Sequence, residues 1–254
     1  MAHPSVAVLE YHLVGYRRVW RGSVFSSFVM PLLFFLGMGV AVGEYVDRGG
    51  GLDLPYLQFI GAGLLAFTGV QIAMIEASYP VMGGFKWHRF YFGIAAAPPR
   101  VADIIAGQLG YIGLRIAISA TAFLLVMLPF GAVGSAWAVV TPLVAVLVGL
   151  AVASPMFAYA ATVQSDNLLA VMFRFALLPM MLFSGVFFPV EQLPIGLEPL
   201  AYALPLWHGV ELCRTAVVGV GPAWPVPVHL GYLALWAVAG FLLAVTRFRK
   251  RLAV

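Results

Sequence analysis

Six apolar stretches, each long enough to cross a bilayer, constrain this chain more than any other feature. A helical span takes about 20 predominantly apolar residues. Runs of that length occupy residues 23–43, 56–77, 104–128, 138–162, 168–188 and 228–246. Charged residues make up only 9% of the 254, against about 25% in an ordinary soluble domain. So few charges cannot solvate a globule of this size, which excludes a soluble enzyme. Disorder is excluded too, since it needs low hydrophobicity and high charge. The expected fold is an all-α integral membrane protein of six transmembrane helices. The first apolar run is too long for the core of a cleaved leader, and it reads as a retained span.

Orientation follows from the basic residues in the short loops. With the N-terminus inside, Arg17, Arg18, Arg21, Lys86, Arg89, Arg100, Arg247, Arg249, Lys250 and Arg251 face the cytoplasm, and only Arg48 and Arg214 lie outside. Both termini are then cytoplasmic, and the formal charge of +4 belongs to topology rather than to nucleic acid. Cys213 is the one cysteine, so no intrachain disulfide can form.

The chain divides into a segment 1–22, spans one to five within 23–188, an external segment 189–227, a sixth span 228–246 and a basic cytoplasmic tail 247–254. In the first segment Leu9, Leu13, Tyr16 and Trp20 recur at helical spacing, with Glu10, Arg17, Arg18 and Arg21 on another face. That pattern suits an amphipathic interface helix with its apolar face in the acyl boundary; an ordinary basic flank that sets topology is the plainer alternative. In the external segment Pro189, Pro194, Pro199 and Pro205 prevent one continuous helix, yet the stretch is too apolar for a hydrated loop. A pair of short re-entrant helices or a cap on the bundle would satisfy it.

Chemistry is sparse. Neither lysine, Lys86 or Lys250, stands in a phosphate-cradling loop, so any ATP is bound by another polypeptide. His88 lacks a metal-ligand partner at suitable spacing, and His208 with Glu211 makes half a site at most. The expectation is a chain that is no enzyme, with no metal or cofactor of its own. Glu211 and Arg214, three apart, read as a helix-surface ion pair. Glu76, Arg115 and Arg174 are the only charges inside the spans. Intramembrane charges are costly, so they are candidates for a substrate path, with internal pairing as the other reading. The aromatic and basic stretch 85–92, carrying Phe85, Lys86, Trp87, His88, Arg89 and Phe90, fits either a docking element or an interfacial belt.

Two quoted runs then carry a resemblance. Phe183-Ser184-Gly185-Val186-Phe187-Phe188-Pro189-Val190-Glu191-Gln192-Leu193-Pro194 is followed by Leu204-Pro205-Leu206-Trp207-His208-Gly209-Val210-Glu211-Leu212-Cys213-Arg214. With Met30-Pro31-Leu32, Tyr56-Leu57-Gln58-Phe59 and Ala97-Pro98-Pro99-Arg100-Val101-Ala102-Asp103-Ile104, the chain resembles type-2 ABC exporter permeases over nearly its whole length. It is most similar to the nodulation protein J branch of lipo-oligosaccharide exporters, with daunorubicin-type drug permeases as cousins.

The resemblance implies an N-terminal interface helix, six spans, a coupling helix in the first cytoplasmic loop and a re-entrant helix pair before span six. It implies a permease of the bacterial plasma membrane that exports an amphipathic substrate. It further implies two copies of a separate ATPase, which holds ATP and Mg, and a second permease subunit, expected to be identical. By loop position, 85–90 with Arg17 and Arg18 become the ATPase-coupling set. Pro189, Glu191, Pro194, Pro205, Trp207, His208, Glu211 and Arg214 become the external re-entrant motif. From another class, an ion-coupled secondary transporter remains the alternative; it would need carboxylates near the midplane, and Glu76 lies close to the cytoplasmic end of its span. A non-transporting scaffold is a third reading.

Overall fold

A computed structural model describes residues 3–50, 52, 54–95 and 100–253. Gly51 of the first external turn and the Ala97-Pro98-Pro99 motif lie outside the described residues. All elements among the described residues are helical. Helix α1 (Pro4–Phe34) runs into a π-helical stretch (Phe35–Val42) and α2 (Gly43–Arg48). Then come α3 (Tyr56–Ala77), α4 (Tyr79–Lys86), α5 (Phe90–Ala95) and α6 (Val101–Met127). A 3-10 turn (Ala136–Val140) leads into α7 (Thr141–Ala160). Next, α8 (Asp166–Met172) and α9 (Leu178–Phe183) are joined through a π-helical stretch (Phe173–Leu177). The chain closes with α10 (Glu198–Ala203), α11 (Pro205–Val218) and α12 (Val226–Leu252).

Among the described residues, five helices are long and apolar enough to cross a membrane: Tyr56–Lys86, Val101–Met127, Ala136–Ala160, Asp166–Phe183 and Val226–Leu252. They take up the expected second to sixth runs. The first run, 23–43, is contained in α1 and the π-helical stretch behind it.

Helix α3 is the central post. Its most apolar stretch is 83% buried; α7, α11 and α6 pack against it, and α12 packs on the far side against α7. Lipid tails are as apolar as leucine, so helices associate in a membrane by close packing, which small residues permit. Gly69 of α3 meets α7 so closely that a Cβ there would overlap the Ala145 carbonyl, and a Cβ on Gly149 would lie 2.9 Å from the Gly69 oxygen. Gly69→Ala is therefore expected to destabilise the fold by about 1–3 kcal/mol, the usual cost of overpacking. Gly22→Ala, where a Cβ meets nothing within 4 Å, serves as the control. Thermal denaturation in detergent, with the two variants melting alike, would refute the close-packing account.

Helix α1 carries segment 1–22 and the first run in one piece. Val8 is buried, Leu9, Leu13 and Tyr16 pack on the core, Gly107 of α6 sits against Ser5 and Val8, and Trp20 is exposed. The basic stretch after 246 forms the last turns of α12, which continues to Leu252. Phe248 is fully buried, and Arg251 Nη1 donates to the carbonyls of Ala160, Ala161 and Val163 at 3.3, 2.7 and 3.3 Å. A cation placed there satisfies the open C-terminal carbonyls of α7.

Helix α11 is pressed into the bundle. Pro205 starts it, Gly219 ends it in the left-handed conformation (φ 86°), and Trp207, His208, Val210 and Cys213 are buried. Gly209 packs on Val148, where a Cβ would come within 2.9 Å. Val148 lies about 10 Å along α7 from its start, at 1.5 Å per residue.

Candidate functional site

After α3 the chain turns at Ser78 and starts α4 with Pro80 in its first turn. Helices α4 and α5 are joined by the turn Trp87-His88-Arg89. The base of this hairpin is anchored by aromatic packing. Phe85, buried, lies 4.5 Å from the Tyr91 ring and 4.9 Å from Phe248, with the Arg251 guanidinium 4.5 Å over its own ring. The Tyr91 hydroxyl donates to Gln108 Oε1 at 2.6 Å, and burial pushes that phenol well above its usual range. Phe90 stacks on Tyr11 of α1 at 4.7 Å.

The eight residues expected to couple to an ATPase therefore divide. Phe85 and Phe90 face the protein. Lys86 reaches across to the Gln164 carbonyl (3.2 Å) and Asp166 (3.4 Å). Trp87, His88 and Arg89 are exposed, Trp87 by 52%. Arg89 has φ 50°, a left-handed conformation unusual for a residue with a Cβ, which sharpens the turn and thrusts it outward. Arg17 and Arg18 are exposed on α1, and Arg18 lines the same cavity as His88.

The intramembrane charges behave differently from one another. Arg115 Nη1 donates to Glu76, and the two side chains keep only 7% and 18% of their exposure. The guanidinium also lies 5.3 Å over Tyr16 and 6.0 Å from the Tyr111 ring. Beside them His12 stacks on Tyr111 at 5.3 Å, and burial pulls its ring down to about 4, leaving it neutral at physiological pH. The sequence alone set Glu76 near a span end and Arg115 much deeper. They meet where α3 and α6 pack against each other. Arg174 joins neither; it is exposed on the π-helical stretch of the fifth span.

Glu211 and Arg214 are not the surface pair that their spacing suggested. Arg214 Nη1 donates to Glu211 at 2.8 Å, and Nη2 donates to the Gly185 carbonyl at 2.6 Å. Its guanidinium lies 3.9 Å over Phe59, while Glu211 Oε2 accepts from the Ala223 amide at 3.0 Å. With exposures of 16% and 12%, the pair ties α11, α3, the 185 turn and the loop ahead of α12 together. His208 Nδ1 lies 2.9 Å from His229 Nδ1, its Nε2 is 3.1 Å from the Tyr202 carbonyl, and its ring stacks on Tyr232 at 4.0 Å. Trp207 is buried beside it. Pro189 precedes the 3-10 turn that carries the exposed Glu191, and Pro194 begins the exposed turn before α10.

Sequence reasoning missed His229, Tyr232, Tyr16, Tyr111 and Arg251. For His229 a signal existed, a lone imidazole in an otherwise apolar run; the tyrosines look like ordinary interface aromatics. Among the described residues no group of three potential metal ligands occurs.

Comparison with known proteins agrees over the same stretch. A family model described as ABC-2 type transporter matches residues 6–218. Nodulation protein J of Neorhizobium galegae is 28% identical over 97% of this chain and 93% of its own length. Its counterpart in Rhizobium leguminosarum bv. trifolii is 27% identical, with 97% and 93% covered. The inner membrane transport permease YadH of Escherichia coli (strain K12) is 25% identical over 96% of this chain and 93% of its own.

Proposed function

We infer the function from one premise: this chain belongs to the ABC-2 type transporter family. It is a membrane transport component rather than a catalytic subunit. On that basis we read it as the permease of an exporter that moves an amphipathic substrate, a lipo-oligosaccharide, a lipid-linked glycan or a hydrophobic drug, out across a bacterial plasma membrane. Two copies of a cytoplasmic ATPase, which carry ATP and Mg, drive two permease subunits, the second identical to the first. Run 23–43 serves as the first of six spans, both termini are cytoplasmic, and α10 and α11 form the re-entrant pair. The packing of Gly209 halfway along α7 supports that last assignment.

The observation that carries the reading is the match along residues 6–218. The exposed turn Trp87-His88-Arg89 on a buried aromatic base supports the ATPase assignment, since aromatic and arginine side chains are the usual anchors of an interface. Closure of the ATPases on ATP presses on this turn and on α1. Nucleotide acts by stabilising one of two arrangements of the pair differentially. The fifth span supports the assignment of the subunit interface: only 11% of its apolar stretch is buried, and Leu168, Val171, Phe175, Leu178 and Leu182 are exposed around Arg174. The path candidates are Arg174, on that face, and the Glu76–Arg115 pair, set behind α1.

Co-expression with the ATPase encoded beside it and purification in mild detergent tests the reading. The expected result is a complex with equal numbers of permease and ATPase subunits whose ATP hydrolysis responds to cargo. A permease that purifies alone and moves cargo on an ion gradient without ATP would replace this reading with the ion-coupled one.

A further inference from the structure

A polar cavity of about 590 Å³ lies inside one subunit, beside the α4–α5 hairpin. It is enclosed by α1, the end of α3, the α4–α5 hairpin and the first half of α6, and the proposed transport path does not require it. Three observations describe what it would hold. First, its floor carries no net charge, because Glu76 is neutralised by Arg115, and its mouth carries Arg18 together with His88. An anion is favoured there and a cation is not. Second, its walls combine aromatic rings with hydrogen-bond donors: the hydroxyl groups of Tyr11 and Tyr16, Gln108 and the His12 imidazole. His12 Nε2 is buried without a hydrogen-bond partner.

Third, the cavity stands at the level where headgroups belong. Tyr16 faces Arg115, and in the adjoining turn Arg17, Arg18 and Arg21 are exposed. Trp20, between them, and Phe25, one turn beyond, are exposed as well. Arginines interleaved with exposed aromatics mark the boundary between an anionic cytoplasmic leaflet and its acyl region. Tyr11, Val14, Gly15 and Arg18 are exposed on the α1 side, so the cavity opens laterally.

We propose that this cavity is a binding site for the phosphate-bearing headgroup of a lipid in the cytoplasmic leaflet. Arg18 contacts the phosphate, the aromatic walls pack the rest of the headgroup, and the acyl chains lie along the exposed face of α1. One bound lipid per subunit then touches α1 and the coupling hairpin at once. The site needs only that the chain sits in a bilayer, and it stands independently of the ATPase reading.

Gly15 supplies the test. It lines the cavity, and a Cβ on it would meet nothing within 4 Å, so Gly15→Leu puts an apolar side chain into open space without removing a polar group. The purified full-length permease, without ATPase, is exchanged into phosphatidylglycerol or into monoglucosyl-diacylglycerol of the same acyl chains, which lacks phosphate. It is then delipidated, and retained lipid is counted by native mass spectrometry. The expected result is one phosphatidylglycerol held per subunit, about tenfold over the glycolipid, as charge-assisted hydrogen bonds to phosphate imply. Gly15→Leu, with an unchanged melting temperature, loses that lipid. Arg18→Gln, at an exposed position that folding does not need, loses the preference for phosphate and is the second line of evidence. Equal retention of the two lipids by the wild type, or undiminished retention by Gly15→Leu, would overturn the proposal. Full displacement by inorganic phosphate at matched concentration would overturn its lipid half.

Discussion

Replacing Trp87 and Arg89 together by alanine is expected to leave the permease folded and to cut coupled ATP hydrolysis in its complex by about tenfold or more, as removal of interface anchors does. The two side chains are exposed at the tip of the α4–α5 hairpin, so the folded state loses little packing when they go. The contacts that hold the hairpin belong to its neighbours. Phe85 is packed against Tyr91 and Phe248, and Phe85→Ala should lower the melting temperature by emptying that core. Lys86 is tied to the 164–166 segment of its own chain, which makes it a strut of the hairpin. Melting curves and hydrolysis rates should therefore separate the tip from the base. A double variant that keeps its complex and its coupled rate would move the docking surface away from this turn.

The spans were legible wherever a local signal closed them. The second run was read as 56–77, and α3 spans Tyr56–Ala77, because Pro55 stands before it and the chain turns at Ser78 with Pro80 in the next helical turn. After 246 the basic residues read as a tail, while the helix carries an apolar stripe on through Val245, Phe248 and Leu252 at helical spacing. Ahead of the first run, Leu9, Leu13 and Tyr16 pack on the core, a contact that an amphipathic pattern does not distinguish from lipid. Periodicity says that a face is buried without saying against what.

The charged residues were harder, for a related reason. A spacing of three places Glu211 and Arg214 on one helix face, but only the route of α11 into the bundle decides that this face points inward, to Phe59 and the Gly185 carbonyl. Glu76 and Arg115 are 39 residues apart, and their meeting depends on how α3 and α6 pack and in what register, which no local pattern states. Opposite charges, one in each of two consecutive spans, are the hint that the sequence holds.

That pair carries the largest expected effect on stability. Arg115→Leu alone should cost about 3–5 kcal/mol, since it strands the Glu76 carboxylate at a largely covered position. Removing both charges, as Glu76→Leu with Arg115→Leu, should recover most of the loss, because the desolvation cost disappears along with the attraction. Unfolding in detergent of the wild type, the two single variants and the double variant closes a cycle whose coupling term is the quantity to read. A coupling near zero would mean that contacts other than Glu76, among them Tyr16 and Tyr111, hold Arg115. The same residues separate the two transport mechanisms. Ion coupling requires Glu76 to take up and release a proton in every cycle, so Glu76→Gln would abolish transport. As a structural clamp, Glu76→Gln keeps an acceptor for Arg115 Nη1, so it loses stability and still moves cargo at a permissive temperature. Transport by the Gln variant, driven by ATP and indifferent to the proton gradient, is the expected outcome.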